Sequence, residues 1–283
     1  MGNGNSVANP PISEEALWYE VFRFRGNSNI NESHTRGTRR ETGVILLEWG
    51  EWKPQYLRIV EELGLNTEAD YEATEVLRSL IDGQNPAPLL VKLETLLADR
   101  DVVICGAGPS LERHLNEIEK QYGLSNFTIV AADGAASALL KGEHRCDVLV
   151  TDLDGRQRDL EEVVRRGAIP IVHAHGDNIQ PVKDIVPRLG QILGSTQVRP
   201  IGNVFLWGGF TDGDRACHIV MSYRPRKLVL AGMDFGHIVG HWSKPSFEVA
   251  VWANERKRSK LVIAKRLIRN LVEQSDLDYN LMS

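Results

Sequence analysis

With 283 residues, 42% of them hydrophobic and 25% charged, the chain can bury a sizeable core as one large domain beside a smaller one. Its formal net charge of −5 gives no support to a general nucleic-acid or membrane-surface binder, which would be basic. No stretch approaches the roughly 20 apolar residues that span a bilayer, and no run of signal-peptide type opens the chain. Cys105, Cys146 and Cys217 are too scattered for a zinc motif and too few for a disulfide framework, which predicts a reducing, cytoplasmic setting.

Residues 1–43 mix Asn, Gly, Ser and Arg around one short aromatic run, Leu17 to Phe22, and are expected to form a flexible leader. Gly2 and Ser6 fit the loose myristoylation pattern, but a polar leader explains them equally well. Residues 44–98 read as a small helical N-terminal subdomain. Tyr56, Ile59, Val60 and Leu63 recur at helical spacing up to Gly64; Ala73, Val76, Leu77, Leu80 and Ile81 follow up to Gly83. Asn85 to Pro88 breaks the run, and Leu89 to Leu97 resumes it.

From residue 99 to 283 the pattern predicts an α/β domain. Apolar runs at Val102–Cys105, Phe127–Ala132, Asp147–Thr151, Ala168–Ala174 and Leu228–Ala231 are each closed by a Gly- or Asp-containing turn. Short helical segments separate most of them, as expected of Rossmann-like βαβ units in a mainly parallel sheet. Residues 255–274 predict a basic amphipathic helix with Leu261, Ala264, Leu267, Ile268 and Leu271 on its core face.

The acidic residues fall where such a sheet would bind a ligand. Asp133, Asp152, Asp154 and Asp177 follow predicted strands, and Asp212 and Asp214 lie in a Gly-rich loop. The carboxyl ends of parallel strands converge on one edge, and carboxylates gathered there repel one another unless a cation neutralises them. Mg²⁺ suits such a set, because it accepts a few carboxylates, keeps waters and bridges phosphates. One strand-end Asp is ordinarily a helix cap, but four in succession are poorly explained that way. Gly106-Ala107-Gly108-Pro109-Ser110 follows the first strand and opens a helix. It is either a phosphate cradle or a tight turn capped by Ser110, since it lacks both the Walker ending and the third glycine of the dinucleotide fingerprint. His173 and His175 alternate onto one strand face without a third soft ligand, which argues against zinc. A phosphate contact suits His175, and a packed, hydrogen-bonded role suits His173. His218 is open to a structural role. No nucleophile elbow is present.

Ala131-Ala132-Asp133-Gly134-Ala135 followed by Asp147 to Gly155 resembles the Asp-Gly…Gly-Asp-x-Asp-Ser pattern of thiamine pyrophosphokinases, with Thr151 and Gly155 where those enzymes commonly carry Gly and Ser. Together with Cys105–Leu111, His173–Asn178 and Gly208–Ala216, the pattern is similar to the archaeal 6-hydroxymethyl-7,8-dihydropterin pyrophosphokinases (MptE-like) over about residues 46 to 274. The resemblance implies a thiamine pyrophosphokinase-like catalytic domain that moves pyrophosphate from ATP to a pterin hydroxymethyl group and releases AMP, on the way to tetrahydromethanopterin or folate. It implies Mg²⁺ on Asp152 and Asp154, with Asp133 and Asp177 as further ligands or as orienters of its waters; Asp177 could instead orient the attacking hydroxyl. Gly106 to Ser110, His175 and Arg215 would face the phosphates. Asp212 and Asp214 would complete the acidic rim, and Asn178, Asn203 and Trp207 are candidates for the pterin ring.

Two other readings compete: thiamine as acceptor, or a sugar-nucleotide glycosyltransferase using Asp152-Leu153-Asp154 as its metal motif. A nicotinamide or flavin enzyme built on Gly106 and Gly108 leaves the carboxylates without a task. The partners expected are small molecules, with neither nucleic acid nor membrane, and the domain size is compatible with a homodimer.

Overall fold

The computed structural model describes residues 46–275 and 278–282. The leader, its myristoylation pattern and its aromatic run lie outside the described residues.

Three helices come first, α1 (Trp49–Leu63), α2 (Thr67–Leu80) and α3 (Ala87–Leu97). Local signals set their ends. Gly64 closes α1 in the left-handed conformation at φ 62°, and the Asn66 side chain caps α2 by accepting from the Glu68 and Ala69 amides at 3.0 and 3.2 Å. Pro86 and Pro88 open α3, where missing backbone donors cost nothing.

An alternating run follows: β1 (Asp101–Cys105), α4 (Leu111–Tyr122), β2 (Thr128–Ala132), α5 (Ala135–Lys141), β3 (Val148–Thr151), α6 (Gln157–Arg165), β4 (Ile169–Ala174), α7 (Ile179–Ile185) and β5 (Leu193–Thr196). The short β6 (Val204–Phe205), α8 (Asp212–Ser222) and β7 (Lys227–Ala231) come next. A small antiparallel pair, β8 (Ile238–Val239) and β9 (Val251–Trp252), precedes α9 (Glu255–Glu273) and β10 (Asp278–Leu281).

Eight strands form one sheet in the order β10-β7-β1-β2-β3-β4-β5-β6, and every pairing is parallel. The strands β2, β3, β4 and β5 are buried at every residue, which is why they read as unbroken apolar runs: a parallel sheet is covered on both faces. The chain walks outward from β1 to β6, then returns to place β7 on the other side of β1. That reversal makes the carboxyl ends of β1, β2 and β7 the expected ligand crevice.

On one face, Val103, Ile129, Leu149 and Ala174 pack with Leu115 of α4, Leu139 of α5, Leu160 of α6 and Val182 of α7. The helices before β1 belong to the same body. Ala73, Leu77 and Ile81, from α2 and its cap, join that core, and α2 reaches β5 because Gly194 has no side chain: a Cβ there would lie 2.9 Å from Ile81 Cδ1. A second cluster ties Trp52, Tyr56 and Ile59 of α1 to Ile263 and Leu267 of α9.

The five apolar runs named above all become strands. The sequence pattern does not reveal β5, β6 and β10. β5 carries a glycine and two hydroxyl residues, β6 has two residues, and β10 is an edge strand with Tyr279 and Leu281 exposed. Among the described residues no helix is long and apolar enough to cross a membrane.

Candidate active site

A cavity of about 380 Å³ opens at the carboxyl ends of the central strands. Its floor holds Asp133, Asp152 and Asp154, each offering a carboxylate oxygen within 4.8 Å of the others. Two strand-end turns place them. Asp133 adopts φ 42° directly after β2 and fixes its amide on Val150 O at 2.8 Å, which turns its carboxylate under the edge. After β3, Leu153 at φ 69° sends Asp152 and Asp154 to the same side.

Thr151 pins both turns. Its hydroxyl donates to the Asp133 carboxylate and accepts from the Leu153 amide at 2.8 Å. Gly155 leaves the room this requires, since a Cβ there would lie 2.8 Å from Asp133 Oδ2. The two departures from the thiamine-enzyme pattern, Thr151 and Gly155, therefore act together on one carboxylate.

Electrostatics separates the three acids. Burial first, and then the charge of Asp152, push the Asp133 carboxyl up to about 7. Burial also presses upward on Asp152, but the hydrogen bond and charge of His175, with Lys244 and Lys260 nearby, hold it below the usual carboxylate range. His175 Nε2 stands 3.4 Å from Asp152 Oδ2, and the Asp177 amide lies 3.3 Å from Nδ1. Lys244 pairs with Asp154. Asp212 stands at the start of α8, and burial, then Asp152 and Asp133, raise its carboxyl well above the ordinary range.

The turn after β1 is arranged differently. Ser110 does not cap α4 with its side chain; its Oγ donates to Asp234 Oδ2 at 2.7 Å and its amide donates to the same oxygen at 3.1 Å. A Cβ at Gly108 would lie 2.1 Å from that oxygen, and one at Gly106 would lie 2.6 Å from Gly232 O. These glycines admit the segment after β7 against the turn. That segment continues over Gly134, where a Cβ would lie 1.9 Å from Trp242 O, and the Trp242 ring has the cations of Lys141 and Arg156 5.2 and 5.9 Å from its centre. Lys244 follows immediately and reaches Asp154.

Residues 74–240 match the family described as 6-hydroxymethylpterin diphosphokinase MptE-like. The chain is 37% identical over 242 residues to the 6-hydroxymethyl-7,8-dihydropterin pyrophosphokinase of Methanocaldococcus jannaschii, covering 82% of this chain and 99% of the relative. It is 42% identical over 222 residues to the protein of the same name from Pyrococcus furiosus, covering 78% and 93%. Against that of Methanothermobacter thermautotrophicus it is 36% identical over 228 residues, covering 80% and 96%.

The chain belongs to the MptE-like diphosphokinase family. It is, by that membership, an enzyme of the diphosphotransferase class.

In this MptE-like diphosphokinase the cavity gathers Asp133, Asp152, Asp154, His175, Asp177, Asp212 and Asp214 with Gly106, Ala107 and Gly108. Asp177 is exposed and stands outside the group of three. Asp214 is spent on capping: it accepts from the Phe210 and Thr211 amides at 2.5 and 2.8 Å and from Thr211 Oγ1 at 2.5 Å.

Four other expected residues face away from the cavity. Arg215 is buried and donates to Gly208 O and Phe210 O, so its charge acts from behind the site. Asn178 is a staple: its amide donates to Asp152 O and His173 O at 2.8 and 2.7 Å, and its Oδ1 accepts from the His175 amide. Asn203 donates to Gln84 O, and Trp207 is buried against Phe205. His173 is packed as expected, with Nδ1 3.3 Å from Ser195 Oγ and its ring stacked on His175.

Sequence reasoning missed the basic part of the lining, where Lys244, Arg256, Lys257 and Lys260 join Phe210 and Phe235. It also missed Asp70, whose buried carboxylate accepts from Tyr56 Oη, Gln197 Nε2 and the Gly176 amide at 2.7, 2.8 and 2.7 Å. Asp70 thereby ties α1 and α2 to the turn that carries His175. A helical Asp gives no such signal in the sequence. The basic helix gave one, since its charged face had no assigned task.

Proposed function

We propose that this protein transfers the pyrophosphoryl group of ATP to the hydroxymethyl group of 6-hydroxymethyl-7,8-dihydropterin, on the route to tetrahydromethanopterin or folate. The acceptor oxygen forms a bond to the β-phosphorus, the bond from that phosphorus to the oxygen bridging the α-phosphate breaks, and AMP leaves. The observation that carries the reading is the close set of Asp133, Asp152 and Asp154 at the crevice of a chain whose relatives bear this activity in their names.

The donor set fits Mg²⁺: three hard carboxylate oxygens within 4.8 Å, in a group where Asp133 is forced upward by burial and by Asp152 for want of a neutralising charge. When bound, the ion would neutralise and align the donor's phosphates. The chain's own residues do the rest. Asp152 is kept ionised by His175, and Asn178 holds the strand ends that carry both. Asp70 fixes the Gly176 turn behind them. Such a reaction asks for positioning and charge stabilisation and needs no covalent step on the protein. The same reading describes a cytoplasmic enzyme of small-molecule substrates.

The test is to incubate the protein with ATP, Mg²⁺ and the pterin, with thiamine in a parallel tube, and to separate the nucleotides. AMP formed with the pterin and not with thiamine is expected. AMP with thiamine alone would replace the acceptor. ADP, or no turnover by folded protein in either tube, would overturn the reading.

A further inference from the structure

We propose that a linear polyphosphate, the triphosphate of the donor, lies against Lys244, Lys257 and Lys260 in the basic part of the cavity lining, and not in the Gly106–Ser110 turn. The proposal rests on the reading of the site as a nucleotide-dependent diphosphokinase.

Three observations carry it. The first is where the cations stand. α9 starts at Asn254, whose side chain accepts from the Lys257 amide at 2.8 Å, and its first turns carry Arg256, Lys257, Arg258 and Lys260. A helix N-terminus is the positive end of the dipole and favours anions, so cations gathered there are held against their own helix. An anion bound in front of them relieves that cost.

The second is that two of the three cations, Lys257 and Lys260, make no close ion pair among the described residues. Lys244 pairs with Asp154, but Lys257 Nζ has no hydrogen-bonding partner among the described residues, and Lys260 stands 5.8 Å from the Phe210 ring. All three line the cavity together with Asp152 and Asp154. Burial, then Lys244 and Lys260, lower the Lys257 ammonium, as expected where like charges share a cleft. A chain of phosphates set between a carboxylate-bound cation and a row of ammonium groups satisfies both walls.

The third is that the competing anion position is taken. Both Ser110 donors, the amide and Oγ, go to Asp234 Oδ2, and that oxygen fills the space beside Gly108 where a phosphate would approach.

The experiment is a calorimetric titration of the full chain with inorganic tripolyphosphate in the presence of Mg²⁺. Wild-type protein is expected to bind it. The double variant Lys257→Gln, Lys260→Gln should weaken binding by about tenfold or more, Lys257→Arg should keep it within roughly threefold, and Ser110→Ala within roughly twofold. Circular dichroism checks that each variant is folded, and Lys260→Gln alone serves if the double variant is not. No binding to the wild type, unchanged binding in the folded lysine variants, or a loss in Ser110→Ala equal to theirs would each overturn the proposal. Absence of AMP in the turnover assay with tripolyphosphate binding intact would instead overturn the diphosphokinase reading.

Discussion

The acidic wall of the cavity comes from two neighbouring strand ends, after β2 and β3, whereas the basic wall is collected from the segment after β7 and from the start of α9. Both are dense in charge. The acidic wall is rigid by construction: left-handed residues at Asp133 and Leu153, Thr151 bonded to both turns, and Gly155 cleared for the Asp133 carboxylate. The basic wall stands on long side chains, and its position depends on a loop laid across three glycines, Gly106, Gly108 and Gly134. A site that must neutralise and align charge gains from fixed carboxylates, while adaptable lysines can follow the phosphates as they move.

The largest effect should come from the rigid side. Asp152→Asn or Asp154→Asn should lower AMP release by ~10³-fold or more, because on the proposed reading either change removes a carboxylate from the group of three that would hold the ion. Without added metal the melting temperature of both variants should change little, since the repulsion each relieves is offset by the loss of the His175 or Lys244 pairing. Loss of fold together with loss of activity would show that the acids are structural instead.

The basic wall can be broken without touching a charge. Gly134→Ala sets a Cβ 1.9 Å from Trp242 O and must displace the segment that delivers Lys244. A stability loss of ~2–3 kcal/mol in urea unfolding is expected, with the turnover defect larger than the stability defect explains. Intact turnover in this variant would separate Lys244 from the site.

The cations behind the walls can be probed through pH. His218 is pushed down to about 4 by burial and by Arg215, and its Nε2 has no hydrogen-bond partner among the described residues. The unfolded chain binds a proton near 6.5, while the native state refuses it until about 4. Stability is therefore fully present above pH 6.5 and is lost as pH falls through that window, by up to about 3 kcal/mol. His218→Gln should flatten the slope in urea titrations between pH 4.5 and 7, and an unchanged slope would assign the acid sensitivity elsewhere.

The smallest effect expected is that of Asp234→Asn. The amide oxygen still accepts from Ser110 but without charge, so about 1 kcal/mol should be lost in the same assay. A loss several times larger would make Asp234 a main anchor of the segment that carries the basic wall.

Much of the acidic wall was legible in the chain itself. The five apolar runs became parallel strands, and the turns closing β2 and β3 delivered Asp133, Asp152 and Asp154 to one edge, since a parallel sheet aligns its strand ends. Residues read for the ring or the phosphates by side-chain type alone fared differently. Asn178, Asn203, Trp207 and Arg215 have the right chemistry, but each spends it on the protein: on strand-end carbonyls, on Gln84 O, on Phe205, or on the loop before α8. Type does not tell which way a side chain faces.

The sequence alone determined the parallel α/β class and the acidic edge, because period, turn residues and strand-end position are local properties of the chain. Only the tertiary structure decided what meets that edge. Asp234 takes the donors of Ser110, Lys244 reaches Asp154, Asp70 holds the Gly176 amide, and α9 turns Lys257 and Lys260 inward. Those pairings join residues some ninety to more than one hundred positions apart, and packing of the segment after β7 and of α9 against the sheet, not any local preference, selects among their many possible partners.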